Sequence, residues 1–186
     1  MITFKANYIS PTEIRKMANY GKAKTTKQEA SIVKLDPKNS YDMNALDEIS
    51  KYWDSIHNWI EFCFADDIYK DALKTAKNNT KNKSFLALTL QNSNFEHLEK
   101  DKILGLAEVV TDKSKKLHKI SYLQAHPSHT RYGADRGFKR IGKRLMEFIL
   151  KNYPMDIELT SLDSLRSFYK KFGFRSLEEN KLILRR

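Results

Sequence analysis

Three apolar runs follow one another closely in the middle of the chain: Phe85-Leu86-Ala87-Leu88-Thr89-Leu90, Ile103 to Val110, and Ile120 to Ala125. Charged loops separate them, and their spacing suits strands joined by antiparallel hairpin links. The third run ends in His126-Pro127, and a basic loop then leads through Ile141 and Gly142 into a helical pattern from about Lys139 to Lys151. A strand over Met155 to Leu159, a helix over Leu162 to Phe172 and a last strand near Leu182 to Leu184 complete an alternating α/β order. Ahead of the sheet, Ile32-Val33-Lys34-Leu35 closes a strand from Glu29 that stops at Asp36-Pro37. Two helices follow: one with Leu46, Ile49 and Trp53 at helical spacing and Asp42 as N-cap, the other from Asp66 to Lys77 with Ile68, Ala72 and Leu73 on one face. The first 28 residues are polar after Phe4 and read as an extra strand or arm of one domain spanning 1–186.

The segment from Lys119 to Met146 has the layout of a pyrophosphate cradle. Gly142 has no Cβ to hold a ligand away from the backbone, and the first N–H groups of the helix, with its positive end, attract phosphate. Arg136, Lys139, Arg140, Lys143 and Arg144 add fixed charge in the same place.

A second motif lies near the C-terminus. Thr160 to Phe174 carries Ser164, then Phe168-Tyr169, then Gly173-Phe174, and this order resembles the closing signature of the GNAT superfamily of acyl-CoA N-acyltransferases. The upstream part resembles the same superfamily's cofactor motif, a strand of the form Leu-x-Val-x-Pro before Arg/Gln-x-x-Gly-x-Gly/Ala and a helix. Here the strand reads Leu123-Gln124-Ala125-His126-Pro127. The resemblance covers about residues 102–176. It implies an α/β (α+β) fold with a mixed, mostly antiparallel sheet flanked by helices, splayed between the strand ending at Pro127 and that near Ile157. It also implies acetyl-CoA as co-substrate, with the backbone of Leu123, Gln124 and Ala125 pairing with the pantetheine arm, and an amine-bearing acceptor. Two departures stand out. Aligning Gly142 with the last small residue of the loop puts Arg140 where the middle Gly is usual and Gly137 where Arg or Gln is usual; a one-residue shift instead gives Arg136 the place of that Arg. A left-handed backbone at Arg140 would carry a steric cost that Gly avoids.

In the resembling family the Tyr of the closing motif points at the thioester sulfur, which implies that role for Tyr169. The chemistry suits a phenol, because attack of an amine expels a thiolate and a nearby O–H that holds its proton at pH 7 can donate to it. Phe168 reads as packing. For the base that takes the amine's proton, Glu108 within an apolar strand is the first candidate, as a charged residue there tends to face water or a cleft; His126 is the second. Asp163 and Ser164 are placed to cap the last helix, and Ser164 matches the Ser of the motif. Trp53, Trp59, Phe62 and Phe64 are available to line an acceptor pocket, although aromatic residues there are more often core.

Charge and composition narrow the remaining readings. The net charge is +11, and residues 1–100 hold 15 basic against 13 acidic side chains while residues 101–186 hold 19 against 10. The excess therefore coincides with the cofactor motif, and CoA's phosphates account for part of it without a nucleic-acid partner. The five His and the single Cys63 form no zinc spacing, and no Gly-x-Ser-x-Gly elbow occurs. No run of about 18 apolar residues is present and Met1 to Lys5 lacks the character of a signal peptide, so a soluble, cytoplasmic protein without a membrane partner is expected. Lone Cys63 fits a reducing compartment. The sequence points first to transfer of an acetyl group from acetyl-CoA to a primary amine in a ternary complex. An enzyme acting on charged tRNA, and a non-catalytic module that binds CoA or nucleic acid, are the alternatives.

Overall fold

A computed structural model describes residues 7–17, 25–56, 64–92, 97–130 and 137–186. The strands are β1 (Asn7–Met17), β2 (Thr25–Leu35), β3 (Lys83–Thr89), β4 (Ile103–Asp112), β5 (Leu117–Ala125), β6 (Phe138–Lys139), β7 (Asp156–Thr160), β8 (Arg175–Ser176) and β9 (Lys181–Leu184). They form one sheet in the order β6-β1-β2-β3-β4-β5-β7-β9-β8, in which β5 and β7 alone run parallel. Among the described residues, four helices flank it: α1 (Ser40–Ser55), α2 (Ala65–Asn78), α3 (Ile141–Asn152) and α4 (Arg166–Lys170).

The central strands β3 and β4 are mostly apolar because both sheet faces are covered, with Glu108 the buried exception. Along β3, Leu86 and Leu88 pack with Ile14, Ile32, Leu145, Ile149 and Phe174 on the α3 side. Phe85 and Ala87 turn the other way, onto Leu46, Ile49, Trp53 and Ile68 of α1 and α2. Trp53 is fully buried in this second cluster and is core, not a pocket wall.

Local chemistry moves several boundaries. The N-cap of α1 is Asn39, whose side chain accepts from Tyr41 N at 2.9 Å. Asp42 is 1% exposed and accepts from Asp36 N at 2.8 Å, and burial raises its pKa; it fastens the chain before α1 to the helix and is not its cap. In α2, Ile68, Ala72 and Thr75 face inward, whereas Leu73 is 45% exposed, because its position falls outside the inward stripe. The helix expected over Leu162 to Phe172 is shorter: a 3-10 turn over Asp163–Leu165 leads into α4. Neither Asp163 nor Ser164 caps it, and Asp163 pairs with Arg166 Nε at 3.0 Å.

The largest addition lies at the N-terminus, where β1 and β2 form a long antiparallel ribbon. Residues 25–28, expected outside β2, belong to it through their pairing with β1, while only Ser31 to Leu35 pair with β3. The far edge of β1 takes up β6, with Arg15 opposite Lys139 and Lys16 opposite Phe138.

Candidate active site

The site begins at a fault in the sheet. β5 and β7 pair only over Leu117–Ile120 and Asp156–Leu159, although β5 runs on to Ala125. At the point of parting, the β4–β5 register skips Ser121, with Glu108 opposite Tyr122 and Val109 opposite Ile120. A bulge of this kind bends the strand and increases its twist. Beyond it the strands diverge and leave a cavity of about 430 Å³.

Leu123, Gln124 and Ala125 form one wall of this cavity, and Lys139, Arg140, Ile141, Gly142 and Lys143 form another. Ser164 and Tyr169 approach from the C-terminal motif. A Cβ at Gly142 would meet only Phe168 Cζ at 3.7 Å, so packing does not require glycine there; its absence leaves room on the cavity side. Arg140 is the N-cap of α3, with φ of 71° and ψ of 13°. Arg140, which one alignment sets at the place of the middle Gly, thus adopts the left-handed conformation, at about 1–2 kcal/mol. Gly105 lies beneath Ile141, where an added Cβ would stand 2.6 Å from Ile141 Cγ2. The start of α3 can lie this close to β4 only over a glycine.

Tyr169 is 6% exposed and packs edge-on against Phe168 and Phe174. Burial pushes its phenol up to about 12, so it carries its proton throughout the neutral range. Phe168 lines the cavity as well as packing the helix.

Other expected residues lie elsewhere. Glu108 is fully buried and does not face a cleft. Its Oε1 lies 3.0 Å from Lys83 Nζ, which also reaches Asp71 Oδ2 at 2.6 Å. Burial raises the Glu108 pKa against the pull of Lys83. Arg144 is turned away from the cavity: its Nε donates to Glu13 O, and its Nη1 donates to Glu147 Oε2 at 2.7 Å. Gly137 contributes backbone, its carbonyl accepting from Met17 N at 2.8 Å. His126 is buried between Tyr52, Trp53 and His129, with Nδ1 accepting from Ser128 N at 3.2 Å. Burial, helped by His129, pulls its pKa down to about 4, too low for a base that must accept from an ammonium group. Arg136, Trp59, Phe62 and Cys63 lie outside the described residues.

Sequence reasoning missed His129, Thr130 and Phe138, which line the cavity. His129 is held in a one-turn 3-10 helix started by Pro127, and its ring meets Phe138 edge-on. The His-Pro sequence signals the turn, but not that its side chain would return to the cavity. Phe64 also lines the cavity, its N–H donating to Gln124 Oε1 at 2.6 Å. Through this bond the start of α2 is tied to the cavity strand. Among the described residues, no cluster of His, Cys, Asp and Glu is suited to a metal, and no helix is long and apolar enough to cross a membrane.

Comparison with known proteins agrees with this geometry. The fold resembles an acyl-CoA N-acyltransferase from Pseudomonas aeruginosa at TM-score 0.53 and 12% identity, over 84% of this chain and 98% of that one. ElaA of Escherichia coli gives 0.51 and 14%, over 84% and 99%. PaiA N-acetyltransferase from Thermoplasma acidophilum, solved in complex with coenzyme A, gives 0.50 and 19%, over 83% and 96%. No curated protein matches the sequence. Residues 64–182, which carry the splayed strands, the α3 cradle and Tyr169, match the family described as acetyltransferase (GNAT) domain, and the chain belongs to that family.

Proposed function

We propose that this protein transfers the acetyl group of acetyl-CoA to a primary amine directly, within a ternary complex. The observation that carries the reading is one cavity with a basic helix N-terminus at one wall and a buried, protonated phenol at another. The residues fit the cofactor: α3 and Lys139, Arg140 and Lys143 suit a pyrophosphate, and the edge of β5 beyond its parting from β7 suits an extended amide-bearing arm. Acetyl-CoA, when bound, supplies an activated acyl group with a thiol leaving group.

Attack by the amine nitrogen forms a C–N bond, and the C–S bond breaks. Tyr169 donates its O–H to the sulfur as negative charge develops there. A phenol at about 12 is a weaker acid than an ordinary thiol near 8.5, so full proton transfer to the thiolate is uphill. The role that fits is hydrogen-bond donor, with water completing protonation of the thiol. No carboxylate among the described residues lines the cavity but the imidazole of His129 does, so the acceptor reaches it as free amine or loses its proton to water or to His129. We read residues 1–186 as one domain, because the N-terminal ribbon continues the same sheet, and the protein as cytoplasmic.

The test is thiol release from acetyl-CoA across a panel of small amines, peptides and aminoacylated tRNA. Tyr169→Phe should lower kcat about 10- to 100-fold, the loss of one hydrogen bond to a charged group, with CoA affinity kept. Wild type that binds CoA but never releases thiol with any amine would make this a binding module.

A further inference from the structure

The N-terminal ribbon brings to the cavity a set of charges that the two motifs do not contain. Ile14 and Phe138 turn into the core on the α3 side, so Arg15 and Lys139 turn to the opposite face. Register then sets Lys139 of β6 opposite Arg15 of β1, and Arg15 opposite Lys27 of β2. Three cations stand in a row across three strands, at about 4.8 Å per strand. Like charges placed directly opposite oppose pairing, and the offset comes from Glu13 and Glu29, the next opposed pair on the same face. Lys27 reaches Glu13 Oε2 at 3.1 Å, both side chains well exposed. Arg15 gives one N–H to Thr25 Oγ1 at 3.3 Å. Among the described residues, Arg15, Lys139 and Arg140 have no carboxylate partner.

The row starts at the cavity, which Lys139 lines. It is also preorganised: Met17 N donates to Gly137 O at 2.8 Å, and the two β6 residues are held in the β1 ladder. The cradle at α3 suits the pyrophosphate; a further anionic group just outside the cavity would meet Arg15. We propose that the Lys139–Arg15–Lys27 row seats the terminal 3′-phosphate of the CoA co-substrate, so that the N-terminal ribbon is part of the cofactor site. This rests on the CoA reading above. A phosphomonoester carries nearly two charges at pH 7 and three strong acceptors, and a guanidinium presents a planar fork to two of them. The row spans only about 10 Å, which suits a single phosphate group better than the repeating backbone of a nucleic acid.

Calorimetric titration of wild type, Arg15→Gln and Lys27→Gln with CoA and with dephospho-CoA, at one ionic strength, tests the seat. Wild type should bind CoA about tenfold more tightly than dephospho-CoA. Arg15→Gln should remove most of that preference by weakening CoA alone, and Lys27→Gln should act in the same direction by less. Unchanged melting temperatures establish that both variants are folded. Equal weakening of both ligands by Arg15→Gln would make the ribbon a brace for the loop and overturn the seat, as would a preference that survives both substitutions. Wild type that binds both ligands equally removes the seat and leaves the CoA reading standing; wild type that binds neither removes both.

Discussion

Replacing Gly105 with Ala places a methyl group 2.6 Å from Ile141 Cγ2, 3.0 Å from Leu145 Cδ1 and 3.3 Å from Gln124 O. Apolar carbons rest at about 3.5–4.0 Å, so Ile141 must retreat by about 1 Å. It has nowhere to go, since Ile141 and Leu145 are themselves buried in the α3 core. Overpacking of this kind costs about 1–3 kcal/mol. Alanine also restricts the unfolded chain more than glycine, which returns about 0.4–1 kcal/mol. At the middle of both ranges the net is a loss of about 1 kcal/mol, or a fall in Tm of about 2–4 °C for a chain of this size. Scanning calorimetry without ligand reads it directly. Because Ile141 opens the helix whose first turn walls the cavity, CoA affinity should fall in the same variant. Ile141→Ala removes the opposing carbon, so in that background the Gly105→Ala penalty should shrink by about 1 kcal/mol or more. An unchanged or higher Tm, or an identical penalty in both backgrounds, would refute the close approach of α3 to β4.

Arg140→Gly relieves a left-handed backbone worth about 1–2 kcal/mol against about 0.5–1 kcal/mol of added chain entropy, so thermal unfolding should show equal or slightly higher stability. The same variant should bind CoA more weakly at low salt, and titration at two salt concentrations checks it. His126 binds its proton more weakly folded than unfolded, so its contribution is complete above pH 6.5 and is lost as pH falls toward 4, by about 3 kcal/mol. Urea titrations across that window should show this slope in wild type and a smaller one in His126→Asn, which keeps an acceptor for Ser128 N. Glu108 has the opposite sign: with its folded pKa raised, its contribution is greatest below the ordinary carboxylate range and declines as pH rises through the raised value. Glu108→Gln should flatten that decline in the same titrations and leave kcat within about threefold; a hundredfold fall in kcat would restore Glu108 as the base.

Features set by local chemistry were the legible ones. Gly142 before a helical pattern and Tyr169 in its motif each stand out within a few residues of sequence, and both line the cavity. Features set by partners far along the chain were not. Glu108 looks like a carboxylate in search of a cleft until Lys83, 25 positions earlier, is brought against it by the β3–β4 ladder. Arg144 belongs by sequence to a basic cradle, and only the presence of β1 shows that its guanidinium is held by Glu13 O. The ribbon itself was obscure because its first turns of sequence are polar: Thr25 to Glu29 pair with β1 alone, with no third strand to demand alternation. Asp42 deceived for a related reason, since an acid in a first helical turn reads as a cap unless the chain ahead folds back onto it.

The pairing of Arg15 with Lys139 joins positions 124 residues apart. Closing so long a loop is entropically slow compared with forming either the ribbon or α3 alone. During synthesis the ribbon emerges early and must wait for β6. The edge of the cavity that Lys139 lines is therefore completed only after two segments far apart in the chain have met.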